Sequence, residues 1–263
     1  MDTVFNPLLL AGAFLAVSCL AMALVWARQR ATQNAGIVDV AWTLLVGSLS
    51  LLACLLAPGW TLRRVLLGAA LGLWALRLGG HLWQRVTRER EDGRYAALRA
   101  QWGDRAQREF FWFFQLQAVA AVFFALPALI AGRHTAPAWH GLEYAAMLLW
   151  LLGWWGERTA DRQLDAFRRD PGNRGRTCRA GLWRLSRHPN YFCEWLMWLA
   201  VALFAWPAPW GAVALLCPAA MLYLLLRVTG IPATEAHALR SRGEDYRAYQ
   251  RTTSAFVPWP PRT

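Results

Sequence analysis

Apolar windows of about twenty residues recur along this chain, and a bilayer core about 30 Å thick needs roughly that length of helix to cross it. Inside hydrocarbon the backbone must satisfy its own hydrogen bonds, so such windows fold as helices. The pattern predicts an all-α, polytopic integral membrane protein with seven spans, at residues 5 to 26, 37 to 57, 63 to 83, 110 to 131, 139 to 155, 190 to 206 and 210 to 227. Around Ala21-Met22-Ala23 the first window looks like a signal peptide, but its start carries Asp2 and no basic residue, and Arg28 and Arg30 follow it. That order is expected of a retained anchor with its N-terminus outside.

Arginine placement gives the orientation. All 28 basic residues are arginine, so the net charge of +12 cannot be titrated away near neutral pH. With seven spans, one side holds two arginines in 28 to 35, seven in 84 to 109, nine in 156 to 189 and six in 227 to 262. The other side holds Arg63, Arg64 and Arg133, and Arg77 falls within a span. Basic residues near span ends stay on the cytoplasmic side, which puts the C-terminus there, in the inner membrane if the cell is bacterial. A nucleic-acid partner is excluded, because the aromatics, 17 Trp among them, sit in apolar runs instead of beside the basic ones. Membrane lipids are the expected surroundings.

Five cysteines at Cys19, Cys54, Cys178, Cys193 and Cys217 are odd in number and widely spaced, which argues against a disulfide framework. The five histidines lack the spacing of a metal-binding helix, so no metal site is expected. With no internal repeat, residues 1 to 263 read as one domain.

The cytoplasmic segments carry the polar chemistry. Residues 84 to 109 read as a solvated or interfacial helix broken at Gly93 and Gly103. Glu157, Asp161, Leu164, Asp165 and Arg168 recur at helical spacing as the fifth helix leaves the membrane. Gly172 and Gly175 then open a loop bearing Arg174, Arg176 and Arg179. The next stretch, GLWRLSRHPNYFCEW from Gly181 to Trp195, ends in a proline suited to a first helical turn, so a helix should start at Pro189. Asn190 and Glu194 then share a face, and Arg184 and Arg187 sit before a helix start that favours anions. A carboxylate as deep as Glu194 is costly unless it is paired or faces a polar cavity. In the tail, Tyr246 and Tyr249 fall on one helical face with Arg242, and residues 156 to 189 and 228 to 263 are expected to pack together.

These residues carry a resemblance. GLWRLSRHPNYFCEW resembles the GLWRYSRHPNYFGE signature of a family of multi-span membrane proteins related to the steroid 5-alpha-reductases. GIVDVAW (36 to 42), FFQLQ (113 to 117), ADRQLDAF (160 to 167), TGIPATE (229 to 235) and EDYRAYQRTTSAFVPW (244 to 259) are similar to further family segments. The resemblance implies an NADPH pocket on the cytoplasmic side, within residues 139 to 263, and a lipid cavity among the first four helices. It assigns the cofactor to Asp161, Arg168, Arg176, Asn190 and Glu194, and to Arg227 with a small shift. Glu157, Arg187, His188, Tyr191, Glu235 and Tyr246 complete the expected set. Glu157 stands where the reductases have asparagine, Ile231 and Glu235 stand where they have histidine and tyrosine, and Cys193 replaces a glycine.

The expected activity is hydride transfer from NADPH to an activated C=C bond of a lipid-like substrate, a sterol, an isoprenoid or a fatty acyl chain. Asp39 and Gln115, polar and inside apolar spans, are the candidates for polarising the substrate. The alternative is an S-adenosylmethionine-dependent methyltransferase of lipids or isoprenylcysteine, since such enzymes carry a similar RHPxY segment. A non-enzymatic lipid binder would leave the buried polar set unexplained, and a transporter would call for inverted repeats. The topology is checked by a reporter fused after Thr263: activity on the cytoplasmic side is expected, and activity only outside would overturn it.

Overall fold

The computed structural model describes residues 6–88 and 91–262. Asp2, residue 5 at the start of the first expected span, Glu89 and Arg90 of the 84 to 109 segment, and Thr263 lie outside the described residues. Among the described residues there are α-helices at Pro7–Thr32 (α1), Ile37–Leu56 (α2), Thr61–Arg88 (α3), Gly93–Trp102 (α4), Ala106–Ala131 (α5), Gly141–Arg169 (α6), Pro189–Ala205 (α7), Leu216–Tyr223 (α8), Ile231–Arg242 (α9) and Glu244–Thr252 (α10). No β-strand occurs among them, and a single parallel bridge joins Ser186 to Ser254.

Five helical runs are long and apolar enough to cross a membrane: Leu8–Thr32, Ile37–Leu56, Thr61–Arg88, Gly93–Ala131 and Gly211–Arg242. The remaining apolar windows lie on α6, whose first half is apolar and whose second half is charged, and on α7, which at 17 residues is at the short end of spanning length. Several expected boundaries move. Helix α3 runs on to Arg88, past its expected span, because arginines suit a helix C-terminus and nothing before that point interrupts the hydrogen bonding, while α6 leaves its span and continues to Arg169, as the helical spacing from Glu157 to Arg168 predicts. The last window is not one regular helix: a 3-10 turn at Gly211–Leu215 leads into α8, which widens into a π turn at Leu224–Val228.

The chain folds as two compact units. One comprises the chain up to Trp139 with Ala205–Gly211, the other His140–Phe204 with the chain from Ala212 on. In the first unit, Asn6 caps α1 by accepting from the Leu8 and Leu9 amides. Asp92 caps α4, which ends at Gly103 in a left-handed conformation (φ 52°) open to glycine without strain. Helices α2 and α3 cross through small residues. A Cβ on Gly47 would lie 2.2 Å from the Ala75 Cβ, and one on Gly79 would lie 3.1 Å from the Leu44 side chain. Close backbone approach of this kind is how helices associate where water does not drive packing.

Two arginines finish the ends of this unit. Arg63, 1% exposed, donates to the carbonyls of His134 and Ala136 (both 2.9 Å) and Ala138 (2.8 Å), and lies over the rings of Trp60 and Trp139. Arg64 donates to the Cys54, Leu55 and Ala57 carbonyls, the groups that the end of α2 leaves without an intrahelical partner.

In the second unit, His140 and Glu143 form a capping box that starts α6. Helices α6 and α7 approach through glycine: a Cβ on Gly153 would meet the Cys193 carbonyl at 2.9 Å, and one on Gly156 would meet the Cys193 Sγ at 2.6 Å. The contact sets the α6 carboxylates beside the first turns of α7.

The Gly47 crossing gives a direct stability test. Gly47→Val should overpack α2 against α3 and cost about 1 to 3 kcal/mol, read as a lowered thermal midpoint in detergent. Gly72→Ala, whose added methyl meets nothing within 4 Å, should stay close to the parent protein.

Candidate functional site

The expected cofactor residues lie in the second unit, most of them in two groups. The first surrounds the start of α7, which begins at Pro189 as its sequence requires. Asn190 donates to Asp161 on α6 (3.3 Å), and Glu194 accepts from the Trp198 indole one turn further on (2.9 Å). Glu157, 5% exposed, Asp161 and Glu194 all lie within electrostatic range of the Cys193 sulfur. Tyr191 stacks on His188 with centroids 5.3 Å apart, and its hydroxyl meets Thr234 at 3.2 Å. Three carboxylates, one carboxamide and a phenol therefore line the mouth of an apolar helix, the chemistry that binds a ligand's amide or hydroxyl groups.

The second group is a joint. Arg187 Nε donates to Glu235 on α9 (2.6 Å), and its NH1 donates to the carbonyls of Gln250 and Thr253. Glu235 also meets His188 Nε2 (3.3 Å) and accepts from Gln250 (2.7 Å), and Tyr246, 3% exposed, lies against it. Tyr249 donates to the Trp183 and Ser186 carbonyls, Ser186 donates to the Phe256 carbonyl, and Asp245 accepts from the Thr177 amide (2.7 Å) and from Arg179 (2.8 Å). Burial opposes ionisation of Asp245, but the Thr177 hydrogen bonds and the Arg179 charge outweigh it and hold the carboxyl below its usual range. These bonds join the 156 to 189 segment to the tail.

Outside the joint, several arginines stay uncommitted. Arg168, in the last turn of α6, and Arg176, in the following loop, are exposed and have no ion pair among the described residues. Arg168 lies near Arg242 and Cys178. Arg176 lines a 510 Å³ cleft with Phe167, Asn173, Thr177, Arg179 and Asp245. Arg227 projects from the π turn, exposed. Gly175, with φ 75°, turns the loop that carries Arg174 and Arg176.

The two substrate-side candidates belong to the first unit. Asp39, in the first turn of α2, accepts from the Tyr95 hydroxyl (2.6 Å) on one oxygen and from Arg94 (3.1 Å) on the other. Gln115, on α5, donates to the Cys19 carbonyl at 3.4 Å. Sequence reading passed over Tyr95, which lies 56 positions from Asp39 with no local signal between them; it also passed over the coupling of Glu235 to Arg187. A tyrosine inside a charged segment such as REREDGRY reads as surface until the partner helix is known. Among the described residues no group of histidine, cysteine or acidic side chains is arranged to hold a metal.

The joint carries a pH test. Burial holds the His188 imidazole below its ordinary pKa of 6.5 despite the neighbouring Glu235. The unfolded chain therefore takes up a proton more readily than the folded one, so the stability that neutral His188 contributes is present above about pH 6.5 and is lost as the pH falls below it. Thermal midpoints measured from pH 8 to pH 5 should fall more steeply in the parent protein than in His188→Asn.

Residues 25–253 match the model of a family described as a protein of unknown function, DUF1295. Uncharacterized protein C9.08c of Schizosaccharomyces pombe is 36% identical over 81 residues, covering 25% of this chain and 29% of its own length. The chain thus spans less than a third of that relative. The family match takes in α2 to α10 and every residue of both polar groups, and the chain belongs to the DUF1295 family.

Proposed function

We propose that this protein is a membrane reductase that uses NADPH to reduce an activated C=C bond of a sterol, isoprenoid or fatty acyl substrate, as its resemblance to the steroid 5-alpha-reductases implies. In this reading the first half of α6 and all of α7 join the five long runs to give seven spans, with the N-terminus outside and the polar groups opening to the cytoplasm of an inner membrane.

The observation that carries the proposal is the division of polar groups in the second unit. Exposed guanidiniums at Arg168 and Arg176, without an ion pair among the described residues and the latter beside a 510 Å³ cleft, suit phosphates. The Asp161–Asn190 pair with Glu157, Glu194 and Tyr191 suits an amide and hydroxyl groups. A dinucleotide has both kinds of group. When bound, NADPH supplies the hydride. Arg168 and Arg176 hold its phosphates and Arg227 adds positive charge, while Asn190, Tyr191 and Glu194 orient the nicotinamide end. Arg187, His188, Glu235 and Tyr246 support that wall from behind by fixing the start of α7. On the substrate side Asp39 acts together with Tyr95, whose hydroxyl proton it already accepts, and Gln115 offers a second donor.

One observation favours the methyltransferase reading. Arg187 and His188 of the RHPxY segment are engaged with Glu235, so neither is available to a phosphate, and S-adenosylmethionine needs none. The two readings part on the loop arginines. Charge-assisted contacts to phosphate are worth about 1.5 to 3 kcal/mol each, so Arg168→Ala and Arg176→Ala should each weaken NADPH binding roughly ten- to a hundredfold, with lysine rescuing only partly. Calorimetry on the purified protein reads this. Unchanged NADPH affinity in both variants, with S-adenosylmethionine binding that depends on Glu194, would replace the reductase by the methyltransferase.

A further inference from the structure

After α10 the chain runs as a strap across the start of α7. Phe256 packs on the rings of Phe192 and Trp195, at 5.5 and 6.0 Å, and the Trp259 amide donates to the Leu185 carbonyl (2.9 Å). The strap leaves Val257 53% and Trp259 68% exposed, beside the first turn of a helix that is apolar from there on. Exposed tryptophan at such a level is typical of the membrane–water interface.

Beneath the strap lies a cavity of 260 Å³, lined by Arg187, Arg251, Ser254, Trp259, Pro260 and Arg262 among others. Arg187 is neutralised by Glu235. Its neighbours carry surplus charge: Arg247 (3.5 Å) and Arg251 (2.9 Å) divide one carboxylate, Glu244, and among the described residues the Arg262 side chain has no acidic partner. The Arg251–Glu244 pair is 65% exposed on both sides, so little is lost when Arg251 exchanges that partner for another anion. Surplus guanidiniums in a hydroxyl-lined cavity, next to an exposed indole at the mouth of an apolar helix, match a ligand that is anionic at one end and apolar at the other.

We propose that this cavity binds the headgroup of an anionic phospholipid, with Arg251 and Arg262 on the phosphate and Trp259 and Val257 against the upper acyl region. The site is separate from the one proposed for NADPH, and no nucleotide enters its test, so the two readings stand or fall apart. It ties the strap, and through Arg187 the joint, to the lipid of one leaflet. Headgroup phosphate and free phosphate share the same chemistry here, and the experiment distinguishes them.

Native mass spectrometry of the detergent-purified protein, titrated with phosphatidylglycerol, phosphatidylcholine or inorganic phosphate, provides that experiment. Phosphatidylglycerol should be retained more tightly than phosphatidylcholine. Arg251→Gln and Arg262→Gln should each weaken phosphatidylglycerol roughly fivefold, while Arg247→Gln, which lies outside the cavity, should not. Arg262→Lys should keep most of the binding, and Trp259→Ala should weaken both lipids. Equal retention of the two lipids, phosphatidylglycerol binding unaltered in Arg251→Gln/Arg262→Gln, or its displacement by equimolar inorganic phosphate would overturn the proposal.

Discussion

The second unit turns on the guanidinium of Arg187. A largely buried arginine without a carboxylate is expensive, and Arg187 meets Glu235, in the second turn of α9. The same side chain takes the Gln250 and Thr253 carbonyls, which the end of α10 leaves without intrahelical partners. His188 follows directly, stacked on Tyr191 and bonded to Glu235, and Pro189 then starts α7. One planar fork thus holds α9, the end of α10 and the first turn of α7 in register. Asn190 and Glu194, on the first turns of α7, inherit their positions from it.

An all-arginine complement suits this kind of construction. Five donors in a plane can cap several carbonyls at once, as Arg63 and Arg64 each do with three, whereas an ammonium offers a compact point charge. The arginines divide by what they meet: capped carbonyls for Arg63 and Arg64, carboxylates for Arg94, Arg99 and Arg187, and, among the described residues, no carboxylate for Arg168, Arg176, Arg227 and Arg262. The third class enters both proposals, joined in the second by Arg251, whose pair with Glu244 is exposed. A permanent cation without a fixed carboxylate is the group most able to take an anion from outside.

Much of this was legible in the sequence where backbone chemistry is local. Gly93 and Gly103 bound α4, Pro189 opens α7, and Gly175 turns the arginine loop, because glycine and proline act through their own dihedral angles. Apolar windows found where helices lie but not how far they extend, since hydropathy measures transfer into lipid while a helix continues as long as its hydrogen bonds do. That is why α3 and α6 outrun their windows, and why the π turn before α9 left no trace in them. Pairings such as Tyr95 with Asp39 or Arg187 with Glu235 join positions 56 and 48 residues apart, and a single sequence carries no term for them. Glu235 was visible only as a departure from the reductase pattern.

Small residues set the α6–α7 approach. Gly156 leaves the room that Cys193 occupies, since any Cβ there would sit 2.6 Å from the sulfur. As a carboxylate, Glu235 commits Arg187, which a phenol could not neutralise. Arg168, Arg176, Arg227 and Arg262, which no carboxylate claims among the described residues, lie instead at the end of α6, in the α6–α7 loop, on the π turn and at the end of the strap. Guanidinium placement there is set by loop geometry more than by helix packing.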